Sequence, residues 1–106
     1  MTSIIYSDVT KSTARFAKAL GHPARLAILK YINDNECCYT KDLLEEIPMA
    51  QSTISQHLKE LKNAGLIEGK NELPKIKYCI NHDNWNRAKR LLETMLQLDF
   101  SSISCF

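Results

Sequence analysis

Residues 50 to 67, AQSTISQHLKELKNAGLI, constrain the fold more than any other stretch, because at 3.6 residues per turn they separate into two faces. Ile54, Leu58 and Leu61 share one side, which must therefore lie on a core. Ser52, Gln56, Lys59 and Asn63 stand opposite, with Gln51, Thr53 and Ser55 around the first turn. Gly65 ends the helix in the manner of a glycine C-cap. The exposed side offers short groups that both donate and accept hydrogen bonds, plus a cation, and the helix N-terminus adds partly positive N–H groups. Reading a DNA groove requires such groups. An ordinary amphipathic surface helix would show the same two faces, so the neighbouring segments have to decide.

Three helices are predicted before it. Asp8 or Thr10 can cap a first helix running to Leu20, with Val9, Phe16 and Leu20 along its apolar side. Gly21 ends that helix, and Pro23 fits the first turn of the next, where Leu26, Ile28, Leu29 and Ile32 are mostly core. Thr40 can cap a further helix over residues 40 to 47, whose buried side is Leu43, Leu44 and Ile47, and Pro48 stops it. Ala50 then precedes the two-faced helix without a capping side chain, a deficit of about 1 kcal/mol unless Ser52 or Thr53 substitutes. Beyond Gly65, Leu66 to Glu68 and Ile76 to Ile80 read as a hairpin with its tip at residues 69 to 74. In its second strand Ile76, Tyr78 and Ile80 alternate with Lys77 and Cys79, one set inward and the other towards solvent. Asn81 or Asp83 can cap a last helix to about residue 98. There Trp85, Ala88, Leu92 and Met95 recur at three- and four-residue steps, broadened by Leu91, Leu96 and Leu98.

Three motifs carry a resemblance: LGHPARLAIL at residues 20 to 29, QSTISQHLKELKNAGLI at 51 to 67, and the KYCI strand ending at Ile80. On these the chain resembles the ArsR/SmtB family of winged-helix repressors over roughly residues 10 to 98. The resemblance implies a mainly α fold with a small β-wing, a winged helix-turn-helix of about five helices and a hairpin. It implies a single DNA-binding domain over residues 1 to 106, with the wing at about 66–80, dimerisation helices at about 9–20 and 82–98, and a loose tail at 100–106. The implied function is that of a sequence-specific transcriptional repressor on double-stranded operator DNA, an inverted repeat bound by a homodimer. The residues expected to face DNA are Gln51, Ser52, Thr53, Ser55, Gln56, His57, Lys59, Asn63, Lys70, Lys75 and Lys77. His57 is assigned to packing or a phosphate rather than to base readout, and His22 to a structural HPxR turn. Phe16, Leu20, Trp85, Ala88, Leu92 and Met95 are expected between protomers, the alternative being that the last helix folds back onto its own domain.

A chain of 106 residues suits one domain that buries about two-thirds of its unfolded surface. With 44% hydrophobic and 25% charged residues it has the composition of a globular protein rather than a disordered one. A net charge of +2 says little by itself, but the charges are sorted along the chain. Lys59, Lys62, Lys70, Lys75 and Lys77 gather in and after the two-faced helix, whereas Glu36, Asp42, Glu45 and Glu46 precede it, which suits a phosphate-facing second half. No run approaches the ~20 apolar residues of a membrane span, and MTSIIYSDV has neither a basic start nor an apolar core. A cytoplasmic protein with no membrane partner is expected. An enzyme is not, since glycine-rich phosphate loops, GxSxG and HExxH are all missing.

The cysteines leave more open. In a cytoplasmic protein Cys37, Cys38, Cys79 and Cys105 are expected as reduced thiols, and a disulfide is not. The adjacent Cys37 and Cys38 suggest a thiophile, but the sensing patterns implied by the family are not matched. Tyr39 and Lys41 occupy the arsenic-sensor positions before Asp42-Leu43, residues 90 to 93 lack the histidine that would complete a site with His82 and Asp83, and Lys30 replaces the persulfide-sensing cysteine. Geometry supplies another route. A short strand before the third helix, lying beside the wing, would bring Cys37 or Cys38 near Cys79. Three thiols there would suit arsenite or, with His82, zinc, and Cys105 is the next candidate ligand. No cofactor is required, and arsenite, zinc or another thiophilic ion is the expected class of inducer. The rival readings are a redox-responsive regulator without metal, a winged-helix protein-interaction module, a small metal-storage protein, or cysteines that are merely small core residues.

Overall fold

The structure, a computed structural model, describes residues 5–99. Five helices and three strands follow in the order α1 (Asp8–Leu20), α2 (Pro23–Asp34), β1 (Cys37–Tyr39), α3 (Thr40–Glu46), α4 (Gln51–Asn63), β2 (Ile67–Glu72), β3 (Lys75–Ile80) and α5 (His82–Leu96). The strands form one antiparallel sheet in the order β1-β3-β2. This is a winged helix-turn-helix, mainly α with a β-wing. The tail at residues 100–106, with Cys105, lies outside the described residues.

Capping explains where the helices begin. Ser7, rather than Asp8 or Thr10, caps α1 by accepting from the Thr10 N–H at 3.1 Å. His22 caps α2 through Nδ1, which accepts from the Ala24 N–H at 3.0 Å. Arg25, one turn on, donates from Nε to the Ala19 carbonyl at 2.7 Å and from Nη2 to that of Lys18 at 3.1 Å, so the HPAR turn also closes the end of α1. Tyr39, not Thr40, holds the cap position of α3, and Asp42 reaches back to accept from the Tyr39 N–H at 2.9 Å. Ala50 starts α4 without a side-chain cap, as expected.

Ile28, Ile32, Leu43, Ile54, Leu58, Leu61, Leu66 and Ile67 are the largest fully buried side chains. They come from α2, α3, α4 and the root of the wing, so the helix-turn-helix and the wing share one core. The α1–α5 pair departs from expectation. Phe16 and Ala88, expected between protomers, are 3% and 2% exposed within the single chain, because α1 and α5 pack on each other. Arg87 seals this contact, with Nη2 donating to the Ser12 Oγ at 3.1 Å and the guanidinium 5.9 Å from the Phe16 ring centre. The last helix thus partly folds back onto its own domain. Leu20, Trp85 and Leu92 remain half-buried, and Met95 and Leu96 are exposed.

Both wing strands run further than the sequence suggested, to Glu72 and from Lys75, leaving only Leu73 and Pro74 at the tip. The register pairs Lys70 with Lys77 and Glu72 with Lys75. Side chains alternate as expected, but burial instead grades along β3, from exposed Lys75 and Ile76 to buried Cys79 and Ile80. Ile76 points with Tyr78 and Ile80 yet is 41% exposed, since the wing has by then left the body.

Candidate nucleic-acid interface

Helix α4 buries Ile54, Leu58 and Leu61 and leaves Gln51, Ser52, Thr53, Ser55, Gln56, Lys59 and Asn63 exposed. The predicted polar face is therefore continuous. Its uncapped start leaves backbone N–H groups available to an anion. One acid shares this surface: Glu60, whose Oε1 lies 3.4 Å from the Gln56 Nε2. The i, i+4 spacing of the two residues could have disclosed that contact.

His57 does not belong to this face. It is 8% exposed and lies against His22, with ring centres 4.3 Å apart. Its Nδ1 has no hydrogen-bond partner, and burial, with help from His22 and Arg25, holds the imidazole below the ordinary histidine range. A neutral ring against the HPAR turn supports the helix from behind. This is the packing role expected of it, and burial takes His57 off the exposed polar face with which it was also grouped.

On the wing, cross-strand partners share a face. Lys70 and Lys77 therefore stand together with Tyr39, the β1 partner of Lys77. The Tyr39 hydroxyl donates to Glu72, and Lys75 Nζ sits 5.3 Å from the Tyr39 ring centre. Tyr39 thus braces the outer wing against the segment that leads into α3. Sequence reasoning missed this brace because it joins residues 33 apart. Lys70 and Lys75 are exposed and Lys77 is half-buried.

The same register resolves the cysteines. Cys37 pairs with Cys79 across the ladder, with Cα atoms 4.5 Å apart, and the two are joined in a disulfide. The expectation of reduced thiols is overturned for Cys37 and Cys79 and holds for Cys38, which is a free thiol, and the predicted strand beside the wing is present. Cys38, the next residue of an extended strand, points the opposite way and is 2% exposed. Burial first, then the Asp42 carboxylate, push its thiol up to about 12, so it stays protonated and inert. A three-thiol site built from Cys37, Cys38 and Cys79 therefore does not form. Among the described residues no group of three or more His, Cys, Asp or Glu side chains is arranged to hold a metal ion. What does form is a cavity of about 460 Å³ over the disulfide, which Glu36, Glu68, Lys70 and His82 also line.

A family model described as bacterial regulatory protein, arsR family, matches residues 22–69, which span α2 to the root of the wing. An uncharacterized HTH-type transcriptional regulator of Methanocaldococcus jannaschii is 37% identical over 62 residues, covering 58% of this chain and 70% of that protein. The arsenical resistance operon repressor of Staphylococcus xylosus is 34% identical over 73 residues, covering 69% of each. Among solved structures, an ArsR-like transcriptional regulator from a Rhodococcus species superposes with a TM-score of 0.70 at 25% identity, over 80% of this chain and 79% of that one.

Proposed function

The chain belongs to the arsR family of bacterial regulatory proteins, and from that premise we propose that it acts as a homodimer on an inverted-repeat operator. At the coarser level it is a DNA-binding transcriptional repressor with a winged helix-turn-helix, and not an enzyme. The single observation that carries the finer reading is the unbroken polar side of α4, from Gln51 to Asn63, beside the lysines of the wing. Ser52 and Gln56 suit base edges, whereas Lys59, Lys70, Lys75 and Lys77 suit phosphates. A protein-docking face would present aromatic or apolar anchors instead.

Pairing is assigned to α1 and α5. Supporting it is the apolar strip left outside the protomer core, a groove of about 360 Å³ that includes Leu20, Trp85, Leu92 and Leu96. Met95 extends this strip. A two-fold dimer would set two recognition helices about 34–36 Å apart, one turn of DNA. Selection from a random duplex pool should therefore enrich an inverted repeat. Leu92→Asp should sediment as a monomer and bind no better than to random DNA. A wild type that is monomeric at micromolar concentration, or a selection that enriches nothing, would defeat this reading.

The inducer is proposed to be a thiophile, arsenite or a soft ion. Supporting this are the similarity to an arsenical resistance repressor and the pairing of Cys37 with Cys79, which in the reduced state offers two thiols to one cavity. Arsenite should release the reduced wild type from its operator but not Cys37→Ser.

A further inference from the structure

The disulfide occupies the root of the wing. Cys37 lies two residues before Tyr39, the cap of α3, and Cys79 lies two residues along the same face from Lys77. The bond thus ties the segment that feeds the helix-turn-helix to the strand that carries the basic row. A ladder of only three residue pairs joins β1 to β3, and beyond it the Tyr39 contacts with Glu72 and Lys75 are what hold the outer wing to β1. The bond is also reachable. Cys37 is half-buried and, like Cys79, lines the 460 Å³ cavity, whose polar walls admit a small hydrophilic thiol. A regulator that reads DNA works beside DNA, where cellular pools keep thiols reduced, and a cross-strand disulfide in that setting is usually a transient, sensing one.

We propose that Cys37 and Cys79 form a reversible dithiol–disulfide couple, exchanging with small thiols and their disulfides through this cavity, that stiffens the wing and so sets operator affinity. This rests on the DNA-binding reading above. In the reductive direction a small thiolate attacks the more exposed Cys37 Sγ, and the S–S bond breaks with its electron pair leaving on Cys79, which takes up a proton. A second small thiolate attacks the small-molecule sulfur of the mixed disulfide, releasing the Cys37 thiolate, which is protonated in turn. Two small thiols become one disulfide, and one protein disulfide becomes two thiols. Oxidation is the reverse, with the small disulfide as oxidant. The cross-linked wing has fewer conformations to lose on binding, so the oxidised protein binds its operator more tightly. The shift exists only because the two forms differ in affinity.

The test equilibrates full-length protein in mixtures of reduced and oxidised glutathione. Peptide mapping identifies the cysteines joined, fluorescence anisotropy follows operator binding, and amide exchange follows the wing. Reduction should weaken operator binding on the order of tenfold and speed amide exchange in β3. Cys37→Ser should behave as the reduced wild type at every glutathione ratio, and Cys38→Ala should keep the full response. Equal affinity and equal wing exchange in two forms of verified thiol state would overturn the proposal, as would mapping that finds Cys37 and Cys79 unlinked after oxidation. If neither form binds any operator while wing exchange still differs, the couple stands and the DNA reading falls.

Discussion

Helix α4 and the wing lie side by side on the surface proposed to meet DNA, yet they are held in place by different means. Helix α4 is anchored by its own repeat, since Ile54, His57, Leu58 and Leu61 return to the core every three or four residues. The wing has a buried root at Ile67, Cys79 and Ile80, and beyond it relies on pairing with β1, the Tyr39 brace and one covalent bond. The first arrangement is local in sequence and rigid. The second depends on segments about forty residues apart, so it can be loosened without disturbing the core. The difference suggests a division of labour in which α4 carries specificity and the wing carries adjustable affinity.

The sharpest way to break this contrast is to hollow the anchored side. Leu58→Ala should cost about 2–5 kcal/mol in urea unfolding, because a fully buried side chain is lost from the shared core. A loss under about 1 kcal/mol would show that α4 is not held as described. On the exposed side, Ser52→Ala and Gln56→Ala should leave stability alone but reduce the preference for operator over random DNA by ~1–3 kcal/mol per lost base contact. Titrations on both duplexes would show it. In the wing, Lys70→Ala and Lys75→Ala should weaken binding to all sequences alike, each lowering the slope of log K against log salt by about 1. Wing variants that changed sequence preference would erase the proposed division.

The smallest effect concerns His57. Burial holds its folded-state pKa below the ordinary value of 6.5, so the unfolded chain binds the proton at a higher pH than the folded one. Its contribution to stability is complete above about pH 6.5 and is lost as pH falls through that value towards the folded one. His57→Gln should flatten this part of the pH dependence, read as the difference between variant and wild-type unfolding at about pH 7.5 and about pH 5.5. Parallel curves would mean that the imidazole is not buried and neutral.

The same contrast explains what could be read from the chain. The two faces of α4, its Gly65 terminus and its missing cap are local and were legible from periodicity and turn chemistry. For His57 the sequence favours packing or a phosphate over base readout, but a polar residue at a flank position does not say what covers it. Here His22, 35 positions earlier, does so. Ser7 was passed over because Asp8 and Thr10 are equally good caps by type, and only the backbone decides. The approach of a β1 cysteine to Cys79 followed from the winged-helix arrangement. Which cysteine bonds depends on strand register, a non-local quantity. Phe16 and Ala88 were assigned outward because an apolar stripe does not say which chain covers it.

The joint at Gly65 makes α4 a lever. Gly65 has a φ of +82°, and a Cβ there would meet the Asn84 Nδ2 at 2.7 Å. That Nδ2 instead donates to the Gly65 carbonyl at 2.9 Å, while the Asn81 N–H donates to the Leu66 carbonyl at 3.0 Å. The C-terminal end of α4 is therefore clamped to the first turn of α5, with Ser52 and Gln56 towards the far end. Thirteen residues span about 20 Å, so a rigid tilt of about 5° about this joint, shared with the core that Ile54 enters, moves the N-terminal turn through roughly 1.7 Å. A hydrogen bond to a base edge tolerates only a few tenths of an ångström. Any reorientation of α5, from pairing or from a ligand, would arrive at Ser52 and Gln56 with mechanical gain, while Asn63 beside the pivot hardly moves.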